Sequence, residues 1–283
     1  DDAATDASAE IARAYAAKDD RIVLMHNELN SGAARTRNRA LDAARGKFIT
    51  FMDADDLCSP ERFAKQLAFF ERHPQTDICG SYYTMFGTRG GENDELKIQV
   101  PLTHEEIQYQ LFFGCPFGMS SVMLRSEPFK RTGIRFRECM AEDYQLWVDL
   151  SEHLRMANIP EYLTFYRRWE DQISTRQLDR QTLSAQLTQQ EQLARKLGVR
   201  LSDDEARIFT RFSLRTGEVK KRELASYRRI LTRLYKAGIR HSHDPKLLKR
   251  QLMRRYKMAC GLFYPSWRVW IHKRLFLVRL LAS

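Results

Sequence analysis

Three carboxylates follow one short apolar run: Phe48-Ile49-Thr50-Phe51-Met52 leads at once into Asp53-Ala54-Asp55-Asp56. Acids clustered in this way suit a hard divalent cation, Mg²⁺ or Mn²⁺, which in turn holds the phosphates of a substrate. The run before them reads as a strand buried on both faces, as in a sheet covered by helices. In such sheets ligands bind just beyond the carboxyl ends of the strands, where Asp53, Asp55 and Asp56 fall. The other reading is a polar turn whose aspartates cap the next helix. Ser59-Pro60 already supplies a capping serine and a proline at the first helical position, so the three acids are not needed as caps.

Two more side chains are out of place for an ordinary surface. Asp143 is in helical phase with Leu146, Trp147 and Leu150, the apolar side of its segment. A partly desolvated carboxylate with a raised pKa suits a general base. The plainer alternative is that Glu142 and Asp143 favour a helix amino end through the macrodipole. Arg37 shares a stripe with Ala33, Leu41 and Ala44, whereas Arg35 and Arg39 do not. An arginine so placed has an anionic or planar partner, either a ligand or a structural carboxylate.

The elements that must position these groups alternate as in α/β proteins. The pattern predicts helices over 6–17, 33–44, 60–73 and 105–113, with another from about 143. It predicts strands over 21–25, 47–52, 78–86 and 121–124. The helix over 60–73 is expected to bury Phe63, Leu67 and Phe70 and to stop before Pro74. From Leu178 onward β-branched runs give way to helical patterns rich in Leu, Arg, Gln and Lys, which places a domain change there.

Blocks of sequence around these residues carry a family resemblance. The stretch from Arg21 through Asn30-Ser31-Gly32 and Arg37-Asn38 to Gly46, continued by Asp53–Asp56, resembles the family 2 glycosyltransferases. Ser121-Val122-Met123-Leu124-Arg125 and Ala141-Glu142-Asp143-Tyr144-Gln145-Leu146-Trp147 match two further family segments, in order. The resemblance covers roughly residues 1–176. It implies a GT-A type fold of the α/β class, with a mixed, mainly parallel sheet flanked by helices. The implied domains are residues 1–177 for transfer and 178–283 for an α-helical basic carboxy-terminal extension.

The implied activity is sugar transfer from a nucleotide-diphosphate sugar to an acceptor hydroxyl, inverting and dependent on Mn²⁺ or Mg²⁺, in polysaccharide or glycolipid assembly. The implied roles are Asp143 as catalytic base with Glu142 in support, Asp55 and Asp56 as metal ligands, and Asp2, Arg37 and Asp53 at the nucleotide. The family's opening D-D-G-S-x-D stands here as Asp1-Asp2-Ala3-Ala4-Thr5-Asp6, with alanines at the glycine and serine of its tight turn. Many relatives carry histidine where Met119 and Trp169 stand; Trp169 is either a sugar-stacking ring or an ordinary rim aromatic. In the family a strand, a helix and a second strand precede the opening motif. The sequence therefore reads as amino-terminally truncated, and the unit implied upstream is about 30 residues or more.

Charge separates the two halves. Of the net +11, +10 lies beyond Asp244, where no acidic residue occurs, so the body is balanced. In the tail, residues 266–281 place Arg268, His272 and Arg279 on one side of a helix. Trp267, Trp270, Ile271, Leu277, Val278 and Leu281 lie on the other, and Lys273 and Arg274 interrupt that stripe. This pattern suits a helix lying in an anionic membrane surface, or one packed on its own domain. No recognisable nucleic-acid module accompanies the basic stretch, which argues against nucleic acid. Five cysteines without a C-x-x-C pair point to reduced thiols, and residues 1–30 do not read as a signal peptide. No run of about 20 apolar residues could span a bilayer. The expected setting is cytoplasmic, peripheral on the inner face of a membrane, with a carbohydrate or lipid-linked acceptor. The other functions compatible with these residues are a sugar-nucleotide nucleotidyltransferase and a non-catalytic membrane-associated relative or scaffold.

Overall fold

The computed structural model describes residues 1–89, 92–93, 95–169, 172, 176–240 and 244–265, together with 268–269, 272–273 and 276–277. In chain order the strands are β1 (Phe48–Thr50), β2 (Leu57–Cys58), β3 (Ile78–Phe86), β4 (Thr88–Arg89), β5 (Glu92–Asn93), β6 (Leu96–Ile98), β7 (Met123–Arg125) and β8 (Met156–Arg167). The first six helices are α1 (Ser8–Ala16), α2 (Ala33–Ala43), α3 (Arg62–Arg72), α4 (His104–Leu111), α5 (Ser126–Thr132) and α6 (Glu142–Leu150). They are followed by α7 (Leu178–Leu197), α8 (Asp203–Leu214), α9 (Leu224–Gly238) and α10 (Pro245–Gly261).

The main sheet runs β1-β7-β3-β8-β2, with β6 also on β3; β4 and β5 form a separate small pair. β7 takes the first part of one β3 edge, at Ile78 and Cys79, and β6 the later part, at Tyr83 to Met85. The class is the expected α/β with a mixed sheet between helices. Parallel pairing among the described residues is confined to β3 and β8. The run 21–25, expected as a strand, has no ladder partner and is not one; Ile22 and Val23 are exposed. A strand exists only where a neighbour takes its backbone hydrogen bonds.

β8 is the longest strand, and the sequence concealed it behind Pro160. Proline has no N–H to give a ladder. The chain solves this with a bulge. Ser81 pairs with Ile159 but the next residue, Tyr82, pairs with Tyr162, so Pro160 and Glu161 are skipped. This matters for function, because the residues just after the bulge run down to the carboxylate loop.

α3 turns a different face inward from the one its apolar residues suggest. Phe63 and Leu67 are 48% and 38% exposed, while Arg62, Gln66 and Phe70, at i, i+4 and i+8, are buried. The reason is a polar core under the end of β1. The Arg62 guanidinium donates to Thr50 Oγ1 (2.5 Å), Val122 O (3.1 Å) and Gln66 Oε1 (3.2 Å). Gln66 Nε2 donates to Cys79 O and Ser121 O, both at 2.9 Å. Burial pulls the Arg62 pKa below its ordinary value, although it stays a cation at any physiological pH. Because several carbonyls depend on this side chain, Arg62→Ala is expected to destabilise the fold by roughly 3–5 kcal/mol in urea unfolding, from cavity formation and stranded acceptors together. A loss under about 1 kcal/mol would show that these acceptors find other partners.

One hydrophobic core joins β1, β3, β7 and α6 through residues such as Ile78, Leu124, Leu146 and Trp147, and α7 adds Ala185. A second core joins α8, α9 and α10, with Phe112 and Phe113 entering it from just after α4. All five cysteines are free thiols. Among the described residues no helix is long and apolar enough to cross a membrane.

In the tail, Val269 and Phe276 are buried in the second core and His272 stacks on Tyr264 at 4.4 Å. That face of the segment therefore packs on its own helices. Trp267, Trp270, Ile271, Arg274, Val278, Arg279 and Leu281 lie outside the described residues. α10 is a core helix through Leu248, Leu252 and Tyr256, and only its outer face, with Lys246, Arg250, Arg254 and Lys257, is exposed.

Candidate active site

β1 ends at Thr50, and the chain leaves the sheet between two anchors. Phe51 sits edge-on against Phe136 (5.8 Å) and Trp147 (6.5 Å). The Asp53 N–H donates to Ser120 Oγ at 2.9 Å. Asp56 N then donates to Asp53 O at 3.1 Å, which closes a tight turn. The three carboxylates take different directions. Asp53 and Asp55 line a cavity of about 1240 Å³. Asp56 points inward, where its Oδ1 accepts the Arg167 N–H at 2.9 Å and its Oδ2 has no hydrogen-bond partner among the described residues. Burial pushes the Asp56 carboxyl above its ordinary range, against the bonds from Ser120 and Arg167, and the Asp53 and Asp55 charges add to the rise.

The end of β8 meets this turn. Arg167 Nε donates to Asp55 O at 2.7 Å, and the Trp169 indole N–H donates to Asp55 Oδ2 at 3.2 Å. The bulge at Pro160 and the carboxylate turn are thus two ends of one strand's placement. Of the two expected metal ligands, Asp55 faces the cavity and Asp56 ties the turn to β8. Among the described residues no group of three or more His, Cys, Asp or Glu side chains forms a ready metal cage. Asp55 still fits a hard cation, because Mg²⁺-type sites use one or two carboxylates and leave other positions to water and substrate phosphate.

α6 supplies a second group of acids. Residues 144–150 are all buried, and only the first turn, with Glu142 and Asp143, reaches the cavity. Arg37 bridges the two groups of acids, donating from Nη2 to Asp53 Oδ1 (2.8 Å) and from Nη1 to Glu142 Oε1 (2.5 Å). The planar fork holds β1, α2 and α6 in one register. Burial raises the Asp143 carboxyl above its ordinary range. The Tyr144 N–H (2.7 Å to Oδ1) and the Arg37 charge pull it down, and the Asp53 charge pushes it up. Glu142 is raised by burial and by its neighbour Asp143, with Arg37 opposing. The Cys115 thiol lies 3.9 Å from Asp143 Oδ2, and burial lifts its pKa well above the ordinary value.

Asp2 stands behind this wall rather than on it. Its carboxylate accepts the N–H groups of Ser31 (2.7 Å) and Gly32 (2.8 Å) and the side-chain amide of Asn27 (2.9 Å). Desolvation raises its pKa, but these bonds outweigh it and hold the carboxyl below the ordinary range. The bonds fix the entry to α2, where Gly32 takes a φ of 83°. The opening turn forms despite its alanines: Ala3 adopts φ 55°, and the Ala4 N–H bonds Asp1 Oδ1 at 3.0 Å. A left-handed alanine is strained, so Ala3→Gly is expected to raise stability by about 1 kcal/mol, read as a higher melting temperature. An unchanged or lower melting temperature would argue against strain at this turn.

Met119 and Trp169 both line the cavity. So do Tyr83, Tyr166, Gln172, Gln177, Arg180 and Gln181, which the sequence did not single out. The last three come from the start of α7 or just before it, and only the fold brings them here.

Residues 1–133 match the family model described as glycosyl transferase family 2. Bacillus subtilis EpsE is 33% identical over 208 residues, covering 72% of this chain and 72% of EpsE. The chain belongs to glycosyl transferase family 2. Another family member, the Escherichia coli enzyme WfaP, is 31% identical over 59% of this chain and 63% of its own length. It is named a UDP-Glc:α-D-GlcNAc-diphosphoundecaprenol β-1,3-glucosyltransferase. Matches to other curated family members span 54% to 58% of those proteins' lengths. Among solved structures, Staphylococcus aureus TarS 1-349 in complex with UDP-GlcNAc superposes with a TM-score of 0.57 at 20% identity. That match covers 93% of this chain and 80% of TarS 1-349, and it shows the shared GT-A type fold.

Proposed function

We propose that this family member transfers a sugar from a nucleoside-diphosphate sugar to an acceptor hydroxyl, with inversion and with Asp143 as the base. The observation that carries this reading is the gathering of Asp53, Asp55 and Asp143 on one cavity wall, with Arg37 between them. Asp143 takes the acceptor's hydroxyl proton as the oxygen attacks the anomeric carbon; the bond from that carbon to the diphosphate breaks as the new one forms. Burial suits Asp143 for this, because a carboxyl with a raised pKa is a stronger base than an ordinary aspartate.

Asp53 and Arg37 bind the nucleotide. Arg37 uses two of its five N–H donors on Asp53 and Glu142, and the others remain for the ligand. Glu142 holds Arg37 in place, and Asp2 fixes the loop behind the nucleotide side of the cavity. Asp55 would hold a divalent cation, Mn²⁺ or Mg²⁺, which when bound would offset charge on the departing diphosphate. Asp56 keeps the turn on β8 so that Asp55 faces the right way.

The donor class is a UDP-sugar, supported by the ligand of TarS and the donor in the name of WfaP. The acceptor class is a lipid-linked sugar, supported by the WfaP acceptor, in polysaccharide or glycolipid assembly. Such a substrate places the chain at a membrane face as a peripheral protein. A thermal-shift series with nucleotides and UDP-sugars, with and without Mn²⁺, tests the donor side. Stabilisation by UDP and UDP-sugars only when metal is present is the expected result. Indifference to every nucleotide diphosphate would count against the reading.

A further inference from the structure

Exposed apolar side chains gather around the mouth of the cavity. Leu96 and Trp169 belong to its wall and are exposed. α7 adds Arg180 and Gln181 to the wall, and the exposed Leu178 sits on the same first turn. The helix carries this character away from the opening. Leu183 and Leu187 are 56% and 58% exposed, whereas Ala185, Thr188, Gln189, Gln192 and Leu193 face the interior. Positions 180, 183 and 187 on this helix are spaced by three and four residues. Arg180, Leu183 and Leu187 therefore form one outward stripe. The Arg180 guanidinium donates to the neutral Gln177 Oε1 at 3.1 Å and makes no ion pair among the described residues.

This stripe is not a spare part of the core, because the other side of α7 already fills that role. Exposed leucines on a helix whose other side is already packed mark a contact with something else. We propose that the cavity rim and the outer face of α7 seat the mouth of the site on an anionic lipid surface. Tryptophan and leucine enter the boundary between headgroups and acyl chains, while arginine meets the lipid phosphates. Position favours lipid over a second copy of the chain. The stripe starts on the cavity wall itself, so a protein seated there would cover the opening, whereas a bilayer would bring a lipid-linked acceptor to it. The inference rests on the lipid-linked acceptor proposed above, and it concerns residues separate from the basic tail.

Flotation with phosphatidylcholine vesicles, with and without phosphatidylglycerol, reads the surface with no donor or acceptor present. The full chain is expected to bind, and more strongly with phosphatidylglycerol. L183E/L187E should lower that partition by roughly tenfold, and L183Q/L187Q by less, with melting temperatures unchanged. Arg180→Gln should reduce the preference for phosphatidylglycerol. Turnover of a water-soluble acceptor glycoside should survive in both leucine pairs, which separates the membrane claim from the catalytic one. Three results would overturn the proposal: no vesicle binding by the intact chain, equal binding by both leucine pairs, or light scattering in which L183E/L187E splits a dimer while vesicle binding stays the same.

Discussion

Asp143→Asn is expected to lower sugar transfer by roughly 10²–10⁴-fold, the usual worth of a general base, while nucleotide binding stays nearly intact. The asparagine keeps an oxygen for the Tyr144 N–H and nearly the same volume, so the site should hold its shape. The pH dependence gives a second signature. Only ionised Asp143 can accept the proton, and burial raises its pKa. The acid limb of the wild-type rate profile should therefore lie above the ordinary aspartate range of about 4, and it should vanish in the variant. Stability moves the opposite way. The folded carboxyl holds its proton more tightly than the unfolded one, so the fold loses stability as pH rises from the unfolded pKa through the folded value. Asp143→Asn should thus be neutral or stabilising at neutral pH. An unfolding midpoint well below wild type, with transfer lost, would recast Asp143 as a structural residue.

Asp55→Asn is expected to remove the metal-dependent part of nucleotide binding altogether. The amide can still accept the Trp169 N–H, so the turn keeps that contact while the negative charge is gone. Calorimetric titration of UDP with and without Mn²⁺ makes the comparison: the wild type should show a large metal effect and the variant none. Asp56→Asn offers the contrast. Its carboxylate is buried against the Arg167 N–H, so its loss should act on stability first. If Asp56→Asn, still fully folded, lost metal dependence while Asp55→Asn kept it, the assignment of the two neighbours would be reversed.

The sequence was most readable where local pattern and tertiary role agree. β3 occupies the residues its apolar run marks, and α2 starts at 33 and α6 beside 143, where the helical patterns begin. The carboxylate turn was legible as well, but the strand before it was expected over 47–52 with both faces buried and is instead the short edge strand β1, half-buried at Phe48 and Thr50, with Met52 exposed. Other features depended on contacts that no local pattern encodes. Phe63 and Leu67 look like the buried face of α3, but Arg62 and Gln66 won that place by satisfying the Thr50 hydroxyl of β1 and carbonyls of β3 and of the segment before β7. The strand over 156–167 was not among those expected; it contains Pro160, which has no N–H for a ladder, and the bulge opposite Ser81 and Tyr82 makes room for it. Asp56 is indistinguishable from Asp55 in a motif, and only the end of β8 decides which of them faces the cavity. The contribution of α7 to the wall was the least legible, because Gln177, Arg180 and Gln181 are ordinary helix-start residues until the fold brings them to the site.

The most direct test of the central claim is the phosphorus-containing product. The intact chain would be incubated with Mn²⁺, UDP-sugars and an extract of lipid-linked acceptors, and the reaction followed by ³¹P NMR. Acceptor-dependent release of UDP, absent with Asp143→Asn, is the predicted result. Pyrophosphate formed from a nucleoside triphosphate and a sugar phosphate would instead mark a nucleotidyltransferase. Metal-dependent UDP binding without any release would mark a non-catalytic member of the family. Either outcome would contradict the account.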